Sequence, residues 1–274
     1  QLLSALADVG AQRAASFGAT DIAKGCWAFA KLRYVTEPAA ERFWKCMDRE
    51  ADRVVRNARF VDVSMLAWAF STTGYGPPGF WAEIAYATRA ACDILPPRSL
   101  AGISYSCAKA GQVDAKLFAA VAQRALDTAD EFGAHDAAAI CWAFSAAGVP
   151  AVKLYEVLAS KLVAGSQVVR LSPPLAAELA WGFAAAQVHS PRLFELLEEV
   201  CISHIAELET EDAAGFAWAF ATMRQPGPAV YTAIAAYAER FVGRFRPPEL
   251  RMLSWALAEA GVACEALAAV RCRH

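Results

Sequence analysis

Apolar residues recur along the chain in short blocks rather than in one continuous run. One block keeps returning: Trp27-Ala-Phe-Ala, Trp68-Ala-Phe-Ser, Trp142-Ala-Phe-Ser, Trp181-Gly-Phe-Ala, Trp218-Ala-Phe-Ala and Trp255-Ala-Leu-Ala, with Tyr105-Ser-Cys-Ala in the same place. From Trp68 onward these anchors stand 37, 37, 39, 37 and 37 residues apart. Six residues past an anchor comes Gly74, Gly111, Gly148 or Gly261, and six before it comes Asp21, Asp62, Ser99, Asp136, Asp212 or Glu249. A second aromatic keeps the same phase 13 residues on, at Trp81, Phe118, Tyr155, Phe194 and Tyr231, and Trp44 joins it if one loop is four residues longer. The last copy has Ala268 there, with Leu267 beside it.

This periodicity predicts helical hairpins. The block from the acid to the glycine reads as one helix. An acid or Ser near its start accepts from free backbone N–H groups and suits the positive helix end. A glycine just past its end takes the left-handed backbone that closes a helix. The block is apolar nearly all round, which predicts burial between neighbours. The second helix follows Pro38, Pro78, Pro191 or Pro228, as proline suits a first turn. It is amphipathic, with Leu154, Val157, Leu158 and Leu162 on one face. Pro-Pro pairs at 96–97, 173–174 and 247–248 separate it from the next block. A lone hairpin cannot bury both faces but a stack can. The expected fold is therefore all-α: one α-solenoid of stacked helical hairpins over residues 1–274, seven to eight repeats, with an incomplete first repeat over 1–26.

That first copy is short. Ser4–Gly10 matches Trp255–Gly261, and Phe17–Asp21 matches Phe132–Asp136, yet Ser4 to Trp27 spans 23 residues, about 14 short of the period. The expectation is that about 14 residues, most of one amphipathic helix, are missing between Gly10 and Phe17. Residues 10 and 17 would then sit too far apart for the chain between them.

Composition narrows the classes. The chain is 57% hydrophobic and 20% charged, too apolar for disorder, and no stretch approaches the roughly 18 apolar residues of a membrane-spanning helix. Net charge is −2, which argues against a general polyanion binder but leaves room for a local basic face. The eight cysteines form no Cys-x-x-Cys pair. Cys26 and Cys141 each precede an anchor Trp, a packing position, so free thiols in a reducing compartment are expected. The chain opens on Gln1 and carries no visible targeting segment.

The block Leu-Ala-x-x-x-Trp-Ala-Phe-Ala-x-x-Gly, seen best in Asp136–Gly148 and Val63–Gly74, resembles the octotricopeptide and heptatricopeptide repeats. These are related to the repeats of FAST-kinase-like and RAP-domain proteins. The 37-residue period fits the heptatricopeptide form, and the resemblance runs along nearly the whole chain. It implies an α-solenoid of mitochondria or chloroplasts that binds organellar RNA in processing, stability, translation or ribosome assembly. Where that family commonly has Asn three residues before the Trp, this chain has Lys24, Met65, Gly102, Ala139, Glu178, Gly215 and Met252. No RAP domain is visible.

Candidate sites follow from charge. On the helix from Pro38 to about Asn57, Arg42, Lys45, Arg49, Arg53 and Arg56 fall within about 80° of one another. Phe43, Met47, Ala51 and Val54 lie opposite. The stripe is either a phosphate-contact surface or a solvated face balanced by Glu41, Asp48, Glu50 and Asp52. Later repeats do not repeat it: Tyr86, Gln123, Asp127, Glu199 and Ser203 stand there instead. A second basic cluster is Arg240, Arg244, Arg246 and Arg251, with Arg271 and Arg273 nearby. Between the two, Glu195, Glu198, Glu199, Glu207, Glu209, Glu211 and Asp212 form an acidic segment, a candidate protein contact or a region that excludes RNA. The anchor aromatics could stack on bases, but their apolar surroundings predict core, as they do for Trp44, Trp81 and Tyr231. His135, His189, His204 and His274 lie in different repeats without a recurring acid or thiol partner, and no phosphate loop, H-E-x-x-H or G-x-S-x-G occurs.

The expected function is that of an organellar RNA-binding or RNA-scaffolding protein, not an enzyme, without cofactor or metal. It would be mitochondrial, with the chloroplast as alternative, and associated with the mitochondrial ribosome through rRNA backbone contacts. The alternatives are a protein–protein scaffold without direct RNA contact and a transcript-specific processing or stability factor. RNA and protein partners are expected, and no membrane.

Overall fold

The computed structural model describes residues 1–225 and 227–271. Among these residues there are fifteen α-helices and no strand. Seven carry the anchor: α2 (Ala19–Lys31), α4 (Phe60–Thr73), α6 (Pro97–Lys109), α8 (Ala134–Ala146), α10 (Pro173–Ala185), α12 (Thr210–Thr222) and α14 (Pro247–Glu259). Between and around them lie α1 (Leu2–Arg13), α3 (Pro38–Asn57), α5 (Pro78–Ala90), α7 (Ala115–Asp127), α9 (Val152–Ala164), α11 (Pro191–Ser203), α13 (Pro228–Phe241) and α15 (Glu265–Arg271). The fold is an α-solenoid of helical hairpins. Its chain forms two compact units, Gln1–Thr128 and Ala129–His274. In the first, α2, α4 and α6 pack in order as one layer and α1, α3, α5 and α7 as another; in the second, α8, α10, α12 and α14 form one layer and α9, α11, α13 and α15 the other.

The anchor helices start earlier than the acid suggests. Each has its N-cap nine residues before the anchor, at Gly18, Arg59, Pro96, Gly133, Ser172, Glu209 and Arg246. The Pro-Pro pairs therefore begin the anchor helices rather than only separating hairpins. The acid sits at the third helical residue, where its carboxylate reaches back. Asp62 accepts from Arg59 Nε (3.0 Å) and from Thr20 Oγ1 of the preceding anchor helix (2.9 Å). Glu249 accepts from the Arg246 backbone N–H (2.8 Å). At the other end, the residue six past the anchor is left-handed in all seven copies: Gly74, Gly111, Gly148 and Gly261, and also Arg33, Gln187 and Arg224.

The anchor layer packs closely because small residues line it. A Cβ on Gly102 would lie 2.3 Å from Ser64 Oγ, and one on Gly182 would lie 3.2 Å from the backbone of Cys141 and Trp142. Hydrogen bonds tie neighbours within and between the layers: Ser145 Oγ of α8 donates to the Gly182 carbonyl of α10 (2.6 Å), and Tyr155 Oη of α9 to the Cys141 carbonyl of α8 (2.6 Å).

Two expectations are corrected. The anchor Trp side chains do not form the core. The buried aromatic is the Phe two residues on: Phe29, Phe70, Phe144, Phe183 and Phe220 are buried, whereas Trp27 is 39% and Trp255 42% exposed and Trp68, Tyr105, Trp142, Trp181 and Trp218 are half-buried. Two residues are about 200° around a helix, so only one of the two rings can face the second layer. Trp44, Trp81 and Tyr231 are buried as expected.

The second correction concerns the first repeat. The chain is continuous from Gly10 to Phe17. The α1 helix runs through Gly10, a one-residue-wide contact point where a Cβ would stand 3.0 Å from the Phe43 ring, and a 3-10 turn over Ala14–Ser16 leads into α2. No gap separates residues 10 and 17. Because α1 packs on α3, the Ser4–Gly10 segment belongs to the second-helix layer, not to the anchor layer that its sequence match indicated.

Candidate nucleic-acid interface

The stripe of α3 points to solvent, as its spacing dictates, but most of its charge is answered within the chain. Arg42 pairs with Asp8 (2.6 Å), Lys45 with Glu41 (3.7 Å), Arg53 with Glu50 (2.6 Å) and Arg56 with Glu83 (3.9 Å). Arg53 also donates to the carbonyls of Phe17 (3.0 Å) and Ala14 (3.1 Å), holding the turn between α1 and α2. Arg49 alone meets no carboxylate; it donates to the Lys45 carbonyl and to Cys46 Sγ.

A different surface combines cations with rings. In the first unit the anchors Trp27, Trp68 and Tyr105 stand at the same register of α2, α4 and α6. Four residues on, one turn along the same face, come Lys31 and Lys109. Lys31 Nζ lies 4.8 Å from the Trp68 ring centroid and 5.7 Å from that of Trp27, so it bridges two rings. Lys109 Nζ lies 5.7 Å from the Tyr105 ring and 3.3 Å from Thr72 Oγ1. Lys24 and Arg98, exposed on α2 and α6, add two charges at the preceding turns. The sequence carried this signal in Lys24-x-x-Trp27-x-x-x-Lys31 and Tyr105-x-x-x-Lys109: a charged residue one turn from the anchor marks a ring at the solvent edge.

In the second unit the anchors form a row of rings. Ring centroids of Trp142 and Trp181, and of Trp181 and Trp218, are each 6.2 Å apart, with planes tilted by 36° and 31°.

The remaining candidates are largely committed to the fold. Arg240 and Arg244 lie over the Phe241 ring at 5.1 and 4.8 Å. Arg246 pairs with Glu249 (2.5 Å) and Glu211 (2.9 Å), and Arg251 is exposed. The Arg271 side chain, Cys272, Arg273 and His274 lie outside the described residues. In the acidic segment, Glu195 pairs with Arg192, Glu207 with His204 and Glu211 with Arg246. Glu198 accepts from the Val230 backbone and Asp212 from that of Glu209; burial lifts the Asp212 carboxyl above its usual range. Glu199 stays exposed.

Burial raises Asp62 and Glu249, but the hydrogen bonds and charge of Arg59 and Arg246 outweigh it and hold both carboxyls below their usual range. The buried thiols of Cys107 and Cys201 are pushed up to about 12, and those of Cys26 and Cys141 higher still, so they pack as small apolar groups. Among the described residues no three His, Cys, Asp or Glu side chains gather around a common point, and no helix is long and apolar enough to cross a membrane.

The fold places the chain among α-solenoid repeat proteins. No protein-family model matches it, and no curated protein shows significant similarity to it.

Proposed function

We propose that this chain is an organellar RNA-binding helical-repeat protein that holds single-stranded RNA along the α2–α4–α6 edge. The observation that carries the reading is the alternation of half-exposed rings and ammonium groups on that edge, with Lys31 seated over Trp27 and Trp68. Base stacking on aromatics is worth about 1–3 kcal/mol per base and tolerates any sequence, while lysines beside the rings meet the phosphates. The α3 stripe supports the reading less strongly, since of its five cations only Arg49 can take a phosphate without giving up an intramolecular carboxylate. The resemblance to heptatricopeptide repeats adds the compartment: mitochondria, or alternatively chloroplasts, with rRNA of the mitochondrial ribosome as the RNA.

Fluorescence anisotropy with a labelled single-stranded RNA tests this. Lys31→Glu with Lys109→Glu should weaken binding at least tenfold, across unrelated sequences, with the thermal transition unchanged. Equal binding by the double variant would remove this edge from the interface, and no RNA binding at all would end the reading. Purification of the protein from organelles, followed by sequencing of bound RNA, tests the rRNA assignment.

A further inference from the structure

We infer that the α14–α15 hairpin is a socket for one more anchor-type helix, supplied by a partner protein. That helix carries a phenylalanine two residues past a tryptophan, small residues beside it and a lysine one turn on. The chain's own repeats show what such a socket holds. The phenylalanine two past an anchor packs on the second aromatic of the preceding repeat. Ring centroids are 6.3 Å apart for Phe70 on Trp44, 5.1 Å for Phe183 on Tyr155 and 5.1 Å for Phe220 on Phe194. Beside that ring, successive anchor helices touch through a small residue three past the anchor. Ser145 holds this place on α8 and donates to the Gly182 carbonyl of α10. Ala184, Ala221 and Ala258 are its equivalents on α10, α12 and α14.

On α14 and α15 the same features stand open. Among the described residues no helix follows α14 in the anchor layer. Ala268 stands where the other repeats have their second aromatic. A cavity of about 320 Å³ lies beside it, its walls including Leu257, Ala258, Val262, Leu267 and Ala268. An apolar cavity of about 150 Å³ takes a benzene ring, so this one has room for a phenylalanine side chain. Ala258 is exposed, whereas Ala184 is buried and Ser145 and Ala221 are half-buried. Trp255 is 42% exposed. Trp181 has a neighbouring anchor ring on either side at 6.2 Å, and a docked tryptophan would stand against Trp255 in the same way. Charge selects among helices. Within the chain, the residue four past one anchor meets the residue four past the anchor before it: Lys109 Nζ lies 3.3 Å from Thr72 Oγ1. The socket presents Glu259, exposed, at that place, which suits a lysine. A second copy of this chain fits poorly. Its helix with this pattern, Trp27-Ala-Phe-Ala-Lys31, keeps Phe29 against Phe43 (4.5 Å) and Tyr34 (5.6 Å) of its own first unit. This inference does not rest on RNA binding by the first unit.

The probe is a fluorescein-labelled peptide of residues 18–33 with Cys26→Ser, which presents Trp27, Phe29 and Lys31 outside their hairpin. The whole protein should bind it, and should bind the same peptide carrying Phe29→Ala at least tenfold more weakly. On the protein, Ala258→Leu adds bulk at an exposed position that leaves the fold intact. It holds the helices apart and should weaken binding at least tenfold. Ala258→Ser, the residue type α8 has there, should change binding less than threefold. Glu259→Lys should weaken binding roughly twofold to fivefold, as loss of an exposed ion pair does, and a peptide with Lys31→Glu should bind that variant better than it binds the wild-type protein. Equal binding of the peptides with and without Phe29→Ala would overturn the proposal, as would undiminished binding to the Ala258→Leu protein. Self-association of the protein in sedimentation, abolished by Ala258→Leu, would also overturn it, because the socket would then belong to a second copy.

Discussion

Arg33, Gln187 and Arg224 take a left-handed backbone at the end of their anchor helices, with φ of 52°, 56° and 50°. A side chain there costs roughly 1–2 kcal/mol, partly offset because glycine loses more entropy on folding. Replacing each by Gly, as the chain has at 74, 111, 148 and 261, should raise stability by about 0.5–1 kcal/mol per site. Urea unfolding of the single variants measures it. The α3 arginines separate at the same scale. Arg49→Glu should shift stability by less than about 0.5 kcal/mol, as exposed charge changes do. Arg53→Glu should cost about 1–2 kcal/mol, since it removes two bonds to the carbonyls of Ala14 and Phe17 and sets a carboxylate against Glu50. The stripe's even spacing thus conceals two kinds of residue. Spacing shows which way a side chain points, and only the neighbouring α1–α2 turn decides whether it is already in use.

Between helices, the third residue of the anchor helix carries a tie. Asp62, its side chain 2% exposed, joins Arg59 of its own N-cap to Thr20 of the preceding anchor helix. Its folded-state pKa lies below the unfolded value of about 3.9. The carboxylate therefore contributes stability that is fully present above that value and is lost as pH falls through the folded-state pKa. Asp62→Asn should lower stability at pH 7 by about 1–2 kcal/mol, and the difference from wild type should shrink as pH drops below 4. Unfolding midpoints measured from pH 7 to pH 3 check this; a constant offset would mean that the charge of Asp62 is not what links the two helices. The acid's recurrence was legible in the sequence. Its partner across helices was not, because Thr20 and Asp62 are 42 residues apart.

The chain carries a net charge of −2, so polyanion binding must come from a local surface and not from the field of the molecule. With Lys24, Lys31 and Lys109 as phosphate contacts, the affinity for single-stranded RNA should fall with salt at a slope of about −2, and near −0.7 when Lys31 and Lys109 are reversed. Titrations between low and physiological salt measure both slopes, and a slope near zero in the wild-type protein would mean that phosphates are not held there.

The sequence by itself determined the repeat, the glycine-closed C-terminal helix ends and the second-layer core. These depend on local rules: a glycine or proline sets the backbone where it stands, and Trp44, Trp81 and Tyr231 lie on faces whose period declares them apolar. Tertiary structure decided what faces outward in the anchor layer. A block that is apolar all round has no preferred side until its neighbours arrive, and only the packing of α2 on α4 or α10 on α12 settles that Phe turns in and Trp turns out. The place of α1 was decided in the same way. Its residues match an anchor helix, but Gly10 lets it lie against Phe43 of α3, and that contact, remote in sequence, assigns its layer.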